Sequence, residues 1–242
     1  MVKQIVKQIM EAFHLRNKQP VIEGFKETDP KWKWLGQLGI NTILNIGSNE
    51  GQFASELRRH IPNAKIYCFE PLPEPFKKLE TYFSNDFNYQ GFPYALGKKD
   101  EVVTMYHNEY SPSSSMLKMN EVHKKHFDFA KQEVEITVVI KKLDDLQSQL
   151  DIISPLLVTL DVQGFEADVI EGGMETIKRA DIIITEVSFT KLYEHQPLFN
   201  EIYSVLKRLG FVYAGNFDQL ISPVSFEILQ ADAIFVKDGF AA

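Results

Sequence analysis

The chain of 242 residues contains a single cysteine, Cys68. An intramolecular disulfide and a multi-cysteine zinc site are therefore excluded. Cys68 lies in the apolar run Ile66-Tyr67-Cys68-Phe69 and reads as a buried structural thiol. No apolar run approaches the roughly 20 residues of a membrane helix; the stretch from Ile152 to Leu160 is interrupted by Ser154 and Pro155. Lys3 and Lys7 break the apolar core that a signal peptide would need. Basic residues are in deficit, 26 against 33 acidic ones, for a net charge of -7. Polyanion binding needs a basic footprint, so neither nucleic acid nor a membrane surface is an expected partner. Solenoid repeats, low-complexity tracts and long Gly/Ser linkers are missing too. What remains is 44% hydrophobic and 24% charged residues, the composition of an ordinary globular chain. A cytoplasmic protein is expected.

Residues 1–40 read as a helical segment, with Ile5, Ile9 and Phe13 on one stripe. Trp32 and Trp34 read as packing of this segment onto the core. From residue 41 onward strands and helices alternate. Strands are expected at Asn41–Ile46, Lys65–Phe69 and Tyr89–Leu96, with helices at Gln52–His60 and from Pro73 to Glu80. Residues 97–145 break the rhythm as a β-rich insertion carrying a loop from Ser111 to Ser115. The alternation resumes with strands at Leu156–Leu160 and Ile182–Glu186 and helices at Gly164–Glu171 and Leu198–Leu209. Phe211–Ala214 and Ala233–Val236 are expected to close the sheet as an antiparallel pair. The sum is an α/β fold with about seven strands, mostly parallel.

The most informative stretch runs from Ile43 to Phe53 and includes Gly47-Ser48-Asn49-Glu50-Gly51. It reads as strand, glycine turn, helix, and ligands of open α/β sheets bind beyond such strand ends. Nineteen residues after Gly51 stands Glu70, at the end of the next strand. A carboxylate about 20 residues on can hold both ribose hydroxyls of an adenosine. A dinucleotide fingerprint would need a second glycine where Asn49 stands, and Glu50 opposes a pyrophosphate. A phosphate-free, cationic ligand such as S-adenosylmethionine suits the acidic loop. Gly47, Ser48, Asn49, Glu50, Gly51 and Glu70 are thus the cofactor-binding candidates. Gly51 is expected to be small because the chain turns into the helix beside the ligand.

These blocks, with Phe69-Glu70-Pro71, Tyr94-Ala95-Leu96-Gly97, Leu143-Asp144-Asp145-Leu146 and Leu160-Asp161-Val162-Gln163-Gly164-Phe165-Glu166, resemble the FkbM family of class I methyltransferases. The run Glu186-Val187-Ser188-Phe189 followed by Leu192-Tyr193 fits as well. The resemblance covers about residues 41–236. It implies a Rossmann-like seven-stranded sheet, S-adenosyl-L-methionine as cofactor, and O-methylation of a hydroxyl on a glycan or secondary metabolite. The family commonly has an aspartate where Asn45 stands here.

Asp161 and Glu186 end strands at the same sheet edge, and Glu166 follows on the next helix. Asp161 is expected beside the transferring methyl, as base, as orienting group or as a further cofactor contact. Glu186 and then His195, which overhangs the edge in this reading, are the other candidates for catalysis. Glu166 is read equally as a cap of its helix. No metal site is expected. Two readings of other classes stay open on the residues: a nicotinamide-dependent oxidoreductase, and a non-catalytic module that binds the cofactor or a partner.

Overall fold

The computed structural model describes residues 29–108, 133–191, 196–222 and 225–240. Residues 1–28, the serine loop and His195 lie outside them.

The first described element is helix α1 (Pro30–Gln37), with Asp29 Oδ1 accepting from the Lys31 amide and proline at its first position. Strand β1 (Thr42–Ile46) leads through the glycine turn to α2 (Gln52–His60), then β2 (Lys65–Phe69), α3 (Pro73–Tyr82) and β3 (Tyr89–Phe92). The strand expected at Tyr89–Leu96 is in fact broken. Pro93 cannot donate to a ladder, and the chain leaves the main sheet there. Ala95–Leu96, β4, joins a second sheet with β5 (Glu101–Asn108) and β6 (Glu133–Lys141), in the order β4-β6-β5. This is the β-rich insertion, and its inner residues Met105 and Val138 pack on Leu72.

A 3-10 helix (Leu143–Gln149) returns the chain to β7 (Leu156–Leu160). Helices α4 (Glu166–Gly172) and α5 (Met174–Ile177), strand β8 (Ile182–Ser188) and α6 (Phe199–Arg208) follow. Strands β9 (Phe211–Ile221) and β10 (Ile228–Lys237) form the expected antiparallel pair, each longer than the sequence pattern indicates. The main sheet has the order β3-β2-β1-β7-β8-β10-β9, with β10 antiparallel to both neighbours. Seven strands, mostly parallel, match the Rossmann-like class I methyltransferase expectation.

Strands β1, β7 and β8 are buried along their whole length, as strands covered on both faces must be. On one face Ile43, Ile66, Leu157, Ile182 and Ile184 pack with residues of α1, α2 and α3. On the other Leu44, Tyr67, Val158, Ile183 and Phe235 pack with α4, α5 and α6. Trp32 belongs to the first layer, stacked on His60 with ring centroids 5.2 Å apart and edge-on to Phe217. After β1 the chain builds outward to β2 and β3, then returns to β7 on the opposite side of β1. The loops after β1 and β7 therefore flank the point where the strand order reverses, the place where such sheets hold ligands.

Candidate functional site

The turn after β1 is fixed by backbone. The amides of Gly47 and Ser48 both donate to the Phe69 carbonyl at 3.0 Å, which ties the turn to the end of β2. Ser48 Oγ donates to the Asn45 carbonyl at 2.8 Å. Gly47, Asn49 and Gly51 all have positive φ, at 80°, 48° and 91°. At Gly47 glycine is required twice over, because a Cβ there would run into the Asp161 carbonyl oxygen. That contact brings the β1 and β7 loops together. Gly51, at φ 91°, is where the chain turns into α2, as expected, and it has a second reason to be small. Its missing Cβ makes room for Leu79 Cδ1, 2.8 Å from where it would stand, so this glycine packs α3.

Glu70 lies at the end of β2 and is only 5% exposed. Its Oε2 accepts from the Asn49 amide at 2.8 Å, and its Oε1 from the Leu72 amide at 2.9 Å. A carboxylate offers about four acceptor positions, so two remain for a pair of hydroxyls. Burial pushes its carboxyl up to about 7, against the pull of those two amides, and Asp161 adds to the rise. The residues present fit an adenosine ribose: a desolvated acceptor, already oriented, with further lone pairs. Glu50 is turned elsewhere, to Lys78 Nζ at 2.6 Å on the surface. Asn45 is spent inside the sheet, where its Nδ2 donates to Thr159 Oγ1 at 2.7 Å.

Across the crevice the sequence motif after β7 turns sharply, with Gln163 at φ 53° and Gly164 at φ 97°. Glu166, 3% exposed, holds this turn from within, as its Oε1 accepts from the amides of Val162 and Gly164, each at 3.1 Å. Of its two possible roles, the structure shows the structural one. Burial raises its carboxyl to about 7 as well.

The two raised carboxyls have a consequence for stability. The folded chain favours their protonated forms, whereas the unfolded chain releases those protons near the ordinary value of 4.5. The folded state therefore binds more protons between about 4.5 and 7. Their contribution to stability is complete below that window and is lost as pH rises through it, by about 3 kcal/mol each. Glu166→Gln keeps an acceptor for both amides and cannot ionise. Its melting temperature should fall less steeply over this range than that of the parent chain. Superimposable profiles would show that Glu166 does not carry the effect.

Asp161, at the exposed rim, and Glu186, 4% exposed in β8, are joined by one side chain that sequence reasoning left without a role. Gln163 Nε2 donates to Asp161 Oδ1 at 2.6 Å and to Glu186 Oε2 at 3.2 Å. Both carboxylates are thus held at the sheet edge beside the glycine turn. Among the described residues no group of three or more His, Cys, Asp or Glu could hold a metal ion. Nor is any helix among them long and apolar enough to cross a membrane.

Residues 45–213 match the methyltransferase FkbM domain. The 2-O-methyltransferase NoeI of Sinorhizobium fredii is 29% identical over 177 residues, which cover 70% of this chain and 72% of that protein. The hexuronic acid methyltransferase AglP of Haloferax volcanii is 25% identical over 220 residues, covering 86% and 81% respectively. Among solved structures, the fibrillarin pre-rRNA processing protein of Methanococcus jannaschii superposes with a TM-score of 0.48 at 11% identity, covering 90% of this chain and 87% of that one.

Proposed function

Because the chain belongs to the methyltransferase FkbM family and uses S-adenosyl-L-methionine, we propose that it methylates a hydroxyl of a glycan, with Asp161 at the acceptor oxygen. The observation that carries the assignment of the site is the Gln163 bridge, which holds Asp161 and Glu186 beside the glycine turn. The glycan class is supported by two relatives whose names describe a 2-O-methyltransferase and a hexuronic acid methyltransferase.

When bound, the cofactor would supply a methyl group on a sulfonium, whose carbon–sulfur bond breaks to release a neutral thioether, a good leaving group. The protein's part is placement. Glu70 would hold the ribose, and the turn from Gly47 to Gly51 would lie along the rest of the cofactor. Methyl transfer would need the acceptor oxygen held behind the methyl carbon, and such positioning supplies much of the acceleration. Asp161 accepts the hydroxyl's hydrogen bond and takes its proton as the new bond forms. Gln163, donating to Asp161 Oδ1, fixes the carboxylate's orientation. Incubation with methyl-labelled S-adenosylmethionine and a panel of methyl glycosides tests the reading. Label transfer to a sugar oxygen supports it; transfer confined to amines or non-sugar phenols would sink it.

Glu70 offers an independent test of the cofactor half. Hydroxyl donors favour the ionised carboxylate, so binding must displace a proton where Glu70 is still protonated. Affinity for S-adenosylhomocysteine should therefore rise from pH 6 to pH 8, levelling off above about 7, with proton release on binding. Glu70→Gln should flatten this dependence. Glu70→Ala should lose charge-assisted bonds of about 1.5–3 kcal/mol, roughly ten- to hundredfold in affinity. Calorimetry that finds pH-independent binding in the parent chain would place the ribose elsewhere.

A further inference from the structure

Next to the Gln163 bridge the face of the sheet changes character. Along β8 and β10 it is apolar at Ile182, Ile184 and Ile234, and then polar at Glu186, Ser188, Gln230 and Asp232. The register places Ser188 opposite Gln230 and Glu186 opposite Asp232, so these four side chains share one face at the site's end of β8. Ser188 is 1% exposed and Gln230 4%. Gln196 Nε2 donates to Ser188 Oγ at 2.8 Å, whereas Gln230 Nε2 reaches the same oxygen only at 3.4 Å. That is the one hydrogen bond Gln230's side chain makes among the described residues, and its amide oxygen has none. A buried amide with an unpaired oxygen and a stretched donor destabilises a fold. The amide therefore calls for a partner from outside the chain.

We infer that Gln230 and Ser188 form the floor of the acceptor subsite and read two adjacent hydroxyls of the sugar, one of them next to the oxygen that is methylated. The inference rests on the glycan reading above. A carboxamide presents one donor and one acceptor side by side, which suits a vicinal diol whose hydroxyls each donate and accept. Ser188 Oγ adds a hydroxyl that can turn either way. The floor is contiguous with Glu186, which Gln163 links to Asp161, so a sugar lying on it presents a ring hydroxyl to that carboxylate. A site built to pair with a hydroxyl also rejects analogues that lack it, because its own buried groups are then left unpaired.

The test compares the parent chain with Gln230→Met, which keeps length and volume and removes the amide. Methyl glycosides of a hexuronic acid, a neutral hexose and a 6-deoxyhexose serve as acceptors, with methyl-labelled cofactor. For the best acceptor, KM should rise about tenfold in Gln230→Met, the effect of losing one or two neutral hydrogen bonds, while kcat stays within about twofold. Affinity for S-adenosylhomocysteine should be unchanged, and the melting temperature equal or higher, since an unpaired buried amide has been removed. An unchanged KM would overturn the inference and leave the glycan reading standing. So would a lower melting temperature with unchanged KM, the mark of a purely structural amide. A parent chain that methylates no sugar would overturn the glycan reading and this inference with it. A second measurement does not depend on the variant folding. On the parent chain, acceptors deoxygenated beside the methylated position should lose about tenfold in kcat/KM, and equal turnover of these acceptors would also overturn the assignment.

Discussion

Asp161→Asn should slow single-turnover methylation by about 10²–10⁴-fold, the range expected for the loss of a general base. Affinity for S-adenosylhomocysteine should change far less. The substitution keeps the shape of the side chain, and its amide oxygen can still accept from Gln163 Nε2, which now lies 2.6 Å from Oδ1. What disappears is the charge and the ability to take a proton from the acceptor hydroxyl. A carboxylate here would also attract the sulfonium in the ground state, and that attraction weakens as the positive charge disperses. Only interactions that are stronger in the transition state raise the rate, so Asp161 must act on the acceptor oxygen if it is to accelerate the reaction. The opposite pattern is equally readable. If affinity collapses while turnover at saturating cofactor survives, Asp161 binds the cofactor instead. Glu186, on the far side of the Gln163 bridge, is then the next carboxylate to test, followed by His195.

Gly47→Ala is expected to weaken cofactor binding by roughly ten- to hundredfold, a strain of about 1–3 kcal/mol expressed at the site. The residue has φ 80°, and its added methyl would strike the Asp161 carbonyl oxygen, a backbone atom that no side-chain rotation can clear. Relief requires the turn after β1 to move away from the loop after β7, and the cofactor is proposed to lie along that turn. Thermal stability should fall too, by roughly 2–4 °C per kcal/mol in a chain of this size. Gly51→Ala is the control. At φ 91° an alanine is strained here too, but its methyl meets the Leu79 side chain, a partner that can shift, so stability should suffer more than affinity. Parent-like affinity in a folded Gly47→Ala chain would show that the turn does not shape the cofactor site.

The elements that could be read from sequence were those with physics written locally. Strands β1, β7 and β8 are continuous apolar runs because both of their faces are covered. The spacing from Gly51 to Glu70 reflects one strand–helix–strand unit, and the carboxylate lies at the strand end where that spacing puts it. Pro93 was the available signal that β3 ends early, masked by apolar residues on both sides. The site's second half was harder to see. Gln163 sits in a recognisable motif, yet its role depends on Glu186, 23 residues away in sequence. Gln230 and Asp232 alternate with apolar residues along β10, a pattern that from sequence alone looks like a strand with one wet face. Only the register of β10 against β8 shows that this face carries Ser188 and Glu186 and that Gln230 is enclosed. Glu166 was ambiguous because a carboxylate at a helix start can cap or react, and only its two amide partners decide.

The contact between Gly47 and the Asp161 carbonyl, described above as a steric limit, also divides labour along the chain. Apart from Asp161 in its alternative role, the residues proposed for the cofactor lie within 47–70, whereas the carboxylates and the polar floor proposed for the acceptor come from residues 161–232. The two halves meet at the seam between the β1 and β7 loops. Changes well away from that seam should behave independently, so the free-energy effects of Glu70→Gln and Gln230→Met on kcat/KM should add. The acceptor half could then drift toward new sugars without retuning the cofactor half, and a chain with an altered floor would keep its methyl donor.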